Sequence, residues 1–364
     1  LGGLIIMDNV RNLFLDVMNY KKVDRMPVMH WTGWTETRER WEQEGMPKDA
    51  QQNEFLDTPR IFETIPVNCG LLPDFKEELL EETDEYKIFR QYDGVIAQHW
   101  KGKSCIPHFV DFTIKGTEGQ GWDEYKKRLQ PHPDRFPKDF DLILKNLEKS
   151  KSPVRIKTGS MIGWIRDWVG VENLAYIAYD NRDLLKEMVK TIADLVVWCV
   201  DEAGKRGAKI DIGFGWEDIC FNHGPLISPD IFQECCVPHY RRISDTLLKY
   251  GCKLHGVDCD GVIDLLVPGW LEGGVNVMFP IEVGTWKADA ADFRKKYGKE
   301  LRVFGGIDKL ALEKGPAAID AEIARNIPFM KEGGFVPLPD HLITPGTSLE
   351  NYKYYLKQMK ALRF

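Results

Sequence analysis

Three features that would quickly assign a protein class are missing from the sequence: paired cysteine motifs, a surplus of positive charge and a long apolar run. The cysteines form no C-x-x-C pair and no regular framework, which argues against a structural zinc ribbon and a disulfide scaffold. We therefore expect reduced thiols and a cytoplasmic protein. The cysteines are Cys69, Cys105, Cys199, Cys220, Cys235, Cys236, Cys252 and Cys259.

Positive charge is scarce, with 49 Lys and Arg against 56 Asp and Glu and a net charge of −7. The sequence therefore offers no basic field for a phosphate backbone, and nucleic acid is not an expected partner. The opening LGGLIIM is too short for a signal peptide, Met7 offers a natural start, and residues 1–6 need not belong to the natural protein. No later segment is long and apolar enough to suggest a membrane span.

An alternation of short apolar segments with long amphipathic ones begins near residue 150. This order favours a (β/α)8 barrel, also called a TIM barrel, formed by residues 1–364 as a single domain. A doubly wound sheet is disfavoured because no glycine-rich phosphate turn follows the first strand. The predicted strands are RMPVMHW (25–31), PVRIKTGS (153–160), KIDIGFGWED (209–218), CKLHGVD (252–258), VNVMFPIEV (275–283), LRVFGGID (301–308) and GGFVPLPDH (333–341).

Residues 70–150 interrupt this alternation. The segment EYKIFRQYDGVIAQHWKG predicts a β-hairpin that turns at Asp93–Gly94, and we interpret the region as an insertion over the barrel mouth. Two helices are predicted after it. One follows the apolar positions of residues 182–207, and the other begins with Ser228 as N-cap and Pro229 at the first helical position.

Polar residues at the strand ends are the candidates for chemistry, because all strands of a barrel end on one face. His255, Glu282 and His341 end three separate strands and form the two-histidine, one-carboxylate set that catalytic zinc uses. The alternative is that a strand-end histidine is only a hydrogen-bonded polar residue, which for His30 is the favoured interpretation. Asp258 and Asp260 have an alternative as helix caps for the segment GVIDLLVPGWL.

Two carboxylates are candidates for catalysis, Glu217 and Asp258. Glu217 lies between aromatic residues in GFGWEDICF and is suited to proton transfer or to a further metal ligand, with a salt-bridged rim residue as the alternative. Tryptophans near the strand ends predict an aromatic substrate pocket, although tryptophan is also ordinary core filler. The predicted substrate-binding residues are His30, Trp31, Trp34, Trp164, Trp168 and Trp216.

A family resemblance follows from the ordered series GWED, LISPDIFQECCVPHYRRI, LHGVDCDG, FPIEV, FGGID and LPDHLITPGTSLENYKYYL. The series resembles the uroporphyrinogen decarboxylase superfamily, including its corrinoid-dependent methyltransferase branch, from about residue 150 to the end. The resemblance implies a (β/α)8 barrel. It also implies possible dimerisation through the barrel face, by analogy only.

The sequence departs from two branches of this superfamily. The decarboxylases carry an arginine-rich, RQAGRY-like stretch after the first strand, whereas this chain has MHWTGWTETRER. The thiol-methylating members hold zinc on an H-x-C pair and a distant cysteine, and these sulfur positions fall on Val257 and His341 here. Glu234 stands before His255 at a spacing similar to that of veratrol-type O-demethylases, although it lies well inside a predicted helix and ranks below Glu282.

The resemblance implies a methyltransferase of the O-demethylase type, which moves a methyl group from a small methoxyaromatic donor to the cobalt of a partner corrinoid protein. Zinc would assist, and cobalamin would arrive on the partner, because the chain has no D-x-H-x-x-G segment. Two alternatives stay open: a metal-free decarboxylase of a smaller acid, and a non-catalytic small-molecule-binding barrel.

Overall fold

The computed structural model describes residues 9–102 and 106–364. Residues 1–8, which include Met7, and the stretch that contains Cys105 lie outside the described residues. The strands are β1 (Glu63–Thr64), β2 (Glu78–Glu82), β3 (Tyr86–Arg90), β4 (Ile96–Trp100), β5 (His108–Asp111), β6 (Val154–Lys157), β7 (Ile212–Trp216), β8 (Cys220–Phe221), β9 (Gly224–Pro225), β10 (His255–Asp258), β11 (Val277–Phe279), β12 (Arg302–Phe304) and β13 (Phe335–Val336).

The α-helices vary widely in length, and two short 3-10 helices, Pro133–Arg135 and Gly298–Glu300, accompany them. They are α1 (Val10–Met18), α2 (Thr35–Gln43), α3 (Gln52–Phe55), α4 (Trp122–Arg128), α5 (Phe140–Leu147), α6 (Gly163–Val169), α7 (Val171–Asp180), α8 (Arg182–Lys205), α9 (Pro229–Cys235), α10 (Val237–Lys249), α11 (Val267–Glu272), α12 (Val283–Trp286), α13 (Ala290–Tyr297), α14 (Lys309–Glu313), α15 (Pro316–Glu332) and α16 (Leu349–Ala361).

The chain divides into two compact units. The first unit comprises residues 1–65, 144–155 and 276–364, and the second comprises residues 66–143 and 156–275. The single barrel domain that the sequence analysis predicts stays a prediction.

Parallel strands form the centre of the second unit. Strands β7 and β10 pair in parallel from His255 opposite Gly213 to Asp258 opposite Trp216. This register sets the ends of the two strands side by side, and the Glu217 amide donates to the Asp258 carbonyl at 2.8 Å. The predicted helices are confirmed in this unit, since α8 covers residues 182–205 and the Ser228 hydroxyl caps α9 by accepting from the Ile231 amide.

The predicted β-hairpin is also confirmed in the second unit. Strands β3 and β4 pair antiparallel, with Phe89 opposite Ala97. The turn between them includes Gly94 at a φ of 86°, in the left-handed region that favours glycine. Strands β2 and β5 flank this pair and complete a four-stranded antiparallel sheet.

The first unit also contains parallel strands, together with several helices. Strand β12 pairs with β11 on one side and with β13 on the other, and β1 pairs with the beginning of β6. The side chains of these strands are largely buried, and Phe304 and Phe335 are fully covered. Because parallel strands end at the same edge, this arrangement places the segments that carry Glu282, Asp308 and Asp340 at one edge of the unit.

The prediction of a first strand in RMPVMHW is wrong in its extent. Only an isolated parallel bridge joins His30 to Arg60, and proline at position 27 removes a backbone donor from the segment. The six later strand predictions are confirmed, although each strand is shorter than the predicted segment. Parallel strand pairs in each unit, with helices between most of the strands along the chain, confirm the α/β class. Closure into an eight-stranded barrel stays a prediction.

Across residues 9–102 and 106–364, none of the helices has the length and apolar character that crossing a bilayer requires.

Candidate active site

Glu217 follows β7 in the second unit and is almost fully buried. Its carboxylate accepts hydrogen bonds from the backbone amides of Met161 at 2.6 Å and of Ile162 and Gly163 at 2.9 Å. The hydroxyls of Ser160 and Tyr240 also donate to it. These bonds anchor the start of α6, so the contacts of Glu217 support a structural role, and its predicted catalytic role stays a prediction.

Three carboxylates meet where β7 and β10 end. Oxygen atoms of Asp218, Asp258 and Asp260 lie within 4.8 Å of one another, and all three residues are half-buried. The interpretation of Asp258 and Asp260 as helix caps is not supported, because α11 begins only at Val267 with Leu266 as its N-cap.

Burial, reinforced by the charge of Asp260, raises the pKa of Asp218 to about 6, against the lowering effects of the Asp260 amide and Arg166. Carboxylates this close favour sharing a proton or binding a hard cation. The structure therefore groups the predicted catalytic residue Asp258 with two further acids.

His255, at the start of β10, is also buried in the second unit. Its Nδ1 lies 2.8 Å from the Ser244 hydroxyl, and its Nε2 lies 3.1 Å from the Thr158 hydroxyl. Burial lowers the pKa of His255 to about 3, so the imidazole is neutral near pH 7. A neutral imidazole with a fixed orientation is the form in which histidine binds a metal ion.

A buried lysine contacts several polar residues near the strand ends of the first unit. The Lys309 ammonium lies 3.3 Å from Glu282 Oε1, 3.5 Å from Asp340 Oδ1 and 2.9 Å from the Thr285 hydroxyl. The other Glu282 oxygen accepts from the Trp286 indole. Two buried carboxylates thus share one ammonium ion.

Backbone donors hold Asp340 in place beside this lysine. The amides of Gly284 and Lys309 each donate to its carboxylate at 3.0 Å. Burial raises the pKa of Asp340, and the nearby Lys309 charge opposes that shift. Asp340 therefore links the segment after β13 to the starts of α12 and α14.

His341 follows Asp340 and lies among aromatic rings of the first unit. Its ring stacks on Trp34 with centroids 5.9 Å apart and meets the edge of Trp31 at 6.2 Å. Trp31 in turn contacts Phe279 at 4.9 Å. Because Trp31, Trp34 and His341 are only half-buried, they form an aromatic surface rather than closed core.

The other predicted tryptophans belong to the second unit. Trp168 is buried between Trp164 and Tyr125, which favours the interpretation as core filler. Trp216 is half-buried, and the Arg166 guanidinium lies 5.1 Å from its ring centroid. Substrate binding by these residues stays a prediction.

His30 and Glu234 occupy contrasting environments. His30 is buried in the first unit, its ring nitrogens contact Tyr352 and Gln52, and burial lowers its pKa to about 4. These contacts favour its interpretation as a hydrogen-bonded polar residue. Glu234, one residue before the end of α9, forms surface ion pairs with Arg182 and Lys186 in the second unit.

Sequence reasoning missed Lys309, Ser244 and Thr158. The sequence did contain a signal for Lys309, because this residue directly follows the strand-end residue Asp308. None existed for Ser244, which lies in the interior of α10. The predicted zinc ligands are divided, with His255 in the second unit and Glu282 and His341 in the first, and the set stays a prediction.

Comparison with known families shows to which protein family the chain belongs. The family model described as "Uroporphyrinogen decarboxylase (URO-D)" matches residues 153–362, more than half of the chain. The chain belongs to the URO-D family. The match covers every strand from β6 onward and the helices between them, so both units of this URO-D protein contribute to it.

Solved structures similar to this URO-D protein include a methyltransferase from Methanosarcina mazei, at 16% identity and a TM-score of 0.60. The alignment covers 97% of this chain and 98% of that one, which shows a shared fold. A B12-independent methionine synthase from Shewanella sp. W3-18-1, solved with selenomethionine, aligns at 12% identity and a TM-score of 0.38 over 79% and 73% of the two chains. No curated protein matches the chain.

Proposed function

We propose that this URO-D protein is a methyltransferase that takes a methyl group from a small aryl methyl ether and passes it to the cobalt of a separate corrinoid protein. Family membership and the fold shared with a methyltransferase support methyl transfer in general. The finer assignment to an O-demethylase is carried by one observation. Trp31, Trp34 and His341 form an open aromatic surface, and His341 directly follows the strand-end residue Asp340 of the same unit.

The aromatic surface suits the ring of a methoxyarene. Two indoles and an imidazole offer faces and edges for stacking, and their partial exposure leaves room for a planar ligand. The arginine-rich stretch of the porphyrinogen decarboxylases has no counterpart after residue 28. A neutral aromatic donor therefore fits this chain better than a polycarboxylate.

Methyl transfer leaves a phenolate, whose charge must be stabilised. The methyl group leaves oxygen without its bonding electron pair and is taken up by the electron pair of reduced cobalt, and the phenolate then accepts a proton. In the first unit, the Lys309 ammonium is the proposed donor to this oxygen, for which it would exchange its contact with Glu282 or Asp340. Charge placed in advance in a buried environment stabilises such an anion strongly.

A zinc ion remains part of the proposal, with the ligands predicted from the sequence. His255 fits by its donor type, a buried neutral imidazole. Glu282 offers a carboxylate whose present partner is Lys309, so a zinc ion would compete with that ammonium. When bound, zinc would act as a Lewis acid on the leaving oxygen.

Incubating the protein anaerobically with cob(I)alamin and a series of methoxyarenes tests the function. We expect the cobalamin spectrum to change from the reduced to the methylated form, with release of the matching phenol. The variant Trp34→Ala should slow this reaction, whereas Trp100→Ala at the exposed end of β4 should not. Methylcobalamin with coenzyme M or homocysteine should show no thiol-dependent demethylation.

Two outcomes would contradict the proposal. Rapid demethylation of methylcobalamin by a thiol would return the protein to the thiol-methylating branch. Release of carbon dioxide from a small acid, with no reaction of any methoxyarene, would favour the decarboxylase alternative.

A further inference from the structure

Asp340 is held rigidly at the strand ends of the first unit. Its backbone amide donates to the Ile307 carbonyl at 2.8 Å, beside the isolated parallel bridge that joins Ile307 to Pro339. Its carboxylate accepts from the amides of Lys309 and Gly284, one on each oxygen, at 3.0 Å. The side chain is fully covered. A displacement of this carboxylate would leave buried backbone donors without their acceptor, which is costly.

The close packing around these bonds depends on glycine at position 284. A Cβ there would lie 2.4 Å from Asp308 Oδ1 and 3.2 Å from the Leu310 side chain. Only a residue without a side chain therefore lets the start of α12 lie against the start of α14. Asp340 thus bonds to two chain segments that are in direct contact with each other.

Asp340 contacts both ends of Lys309. Its Oδ1 accepts from the Lys309 amide and also lies 3.5 Å from the Lys309 ammonium. One oxygen atom therefore contacts the backbone and the charged tip of the same residue. The other contacts of the ammonium are with side-chain oxygens, at 3.3 Å in Glu282 and at 2.9 Å in the exposed Thr285.

Glu282 contacts the ammonium in a different way. Its carboxylate meets the Lys309 ammonium through one oxygen and the Trp286 indole through the other. Both contacts are between side chains, so side-chain rotation is enough to change them, and glutamate has one more rotatable bond than aspartate. The two carboxylates beside Lys309 therefore differ, because Asp340 is fixed by backbone amides and Glu282 can exchange these partners.

We propose that Asp340 is the positioning residue for Lys309: it stays the counter-ion of the ammonium during the reaction, and Glu282 is the partner that the leaving oxygen of the ether replaces. A donor held in place where negative charge develops needs no reorganisation in the transition state. Keeping Asp340 in contact also avoids leaving a buried ammonium without a counter-ion. The part that concerns the ether rests on the proposed function, whereas the fixing of Lys309 by Asp340 does not.

Reductive methylation with formaldehyde and a borohydride reagent measures how firmly Lys309 is held, without any turnover. Peptide mass spectrometry of the chelator-treated full chain gives the labelling rate, with the exposed Lys357 of α16 as the internal reference. We expect slow labelling of Lys309 in the wild type. The rate should rise on the order of tenfold in Asp340→Asn, since a hydrogen bond to a charged group is worth at least that factor, and less in Glu282→Gln.

Loss of stability must be separated from loss of positioning, because asparagine at position 340 offers only one acceptor oxygen to the two amides. Ser348→Ala removes the N-cap of α16 in the same unit, and the labelling of Lys309 should stay at the wild-type rate there. All variants are labelled at a temperature at which circular dichroism shows them folded. Equal labelling of Lys309 in Asp340→Asn and the wild type would overturn the assignment.

Glu282→Gln keeps the proposal testable if Asp340→Asn does not fold. Asp340 is then the remaining charged partner among the present contacts of the ammonium, and it should still protect Lys309. Labelling of Lys309 as fast as that of Lys357 in Glu282→Gln would show that Asp340 does not hold the lysine, and would refute the proposal.

Steady-state kinetics with cob(I)alamin and a methoxyarene test the part that concerns the ether. Asp340→Asn should lower kcat about 10–100-fold, because a small misplacement of a donor costs up to this factor. KM should change little, since the aromatic surface still binds the ring and the contact with Lys309 strengthens only as charge develops on the oxygen. Ser348→Ala should leave both constants unchanged.

The two proposals fail in different ways. A wild type that demethylates no methoxyarene, with Lys309 labelled as expected, would remove the proposed function and retain Asp340 as the residue that fixes the lysine. An active wild type whose Asp340→Asn variant keeps its kcat would retain the function and refute the role of Asp340 in it.

Discussion

The buried ammonium of Lys309 leads to a strong prediction about stability. Lys309 is 9% exposed at its side chain, Glu282 is 6% exposed and Asp340 is fully covered. Replacing Lys309 by Met keeps the length of the side chain but removes the positive charge. Two buried carboxylates would then remain without their shared counter-ion, and Thr285 would lose a donor at 2.9 Å.

Removing one partner of a buried ion pair typically costs about 3–5 kcal/mol, because the remaining charge is desolvated and unbalanced. We expect a loss of this size in the free energy of unfolding of Lys309→Met. An exposed pair offers the control, since Lys21 and Asp16 of the same unit lie 2.7 Å apart with side chains 67% and 39% exposed. Lys21→Met should cost only about 0.2–1 kcal/mol.

The dependence on pH has a definite sign. The pKa of Asp340 is already raised by burial, and the Lys309 charge is the largest of the influences that lower it, ahead of the Gly284 and Lys309 amides. Without that charge, the pKa of Asp340 in the folded variant rises further above its value in the unfolded chain. Ionisation then destabilises the folded state, so the deficit should be largest near pH 7 and shrink as pH falls towards the ordinary carboxyl value of 3.8.

Urea unfolding followed by circular dichroism at several pH values measures both effects. The double variant Lys309→Met/Glu282→Gln should regain part of the stability, because an amide oxygen still accepts from Trp286 while one buried charge is gone. A loss in Lys309→Met no larger than that in Lys21→Met would refute the role of Lys309 as a buried counter-ion. A deficit that does not shrink at lower pH would contradict the linkage to carboxylate ionisation.

Three further predictions concern the site. Purified protein should carry about one zinc ion per chain by elemental analysis, and His255→Ala should lose it; equal metal in both proteins would remove His255 from the ligand set. Methoxyarenes should quench tryptophan fluorescence, less so in Trp34→Ala; a strong response only to quaternary amines or aliphatic acids would redirect the substrate class. Glu217→Ala should lower the free energy of unfolding by at least about 2 kcal/mol, since several buried donors lose their acceptor. Full stability with lost activity would instead restore the catalytic role of Glu217.

Sequence alone determined the α/β class, the later strands and the main helices. Apolar segments such as VNVMFPIEV (275–283) are typical of buried strands, and the apolar positions of residues 182–207 repeat at helical spacing. The hairpin at Asp93–Gly94 and the cap at Ser228 were predictable because turns and caps depend on residues next to each other in the chain.

The tertiary structure decided which partners the polar side chains have. Glu217 meets the amides at the start of α6, more than fifty residues away, and Lys309 meets Glu282 and Asp340 on other strands. Ser244 reaches Gly273 only because glycine lets that loop approach α10. Sequence patterns report periodicity and local turns, whereas hydrogen-bond partners and counter-ions depend on which chain segments pack together, so the residue types at the strand ends were predictable and their pairing was not.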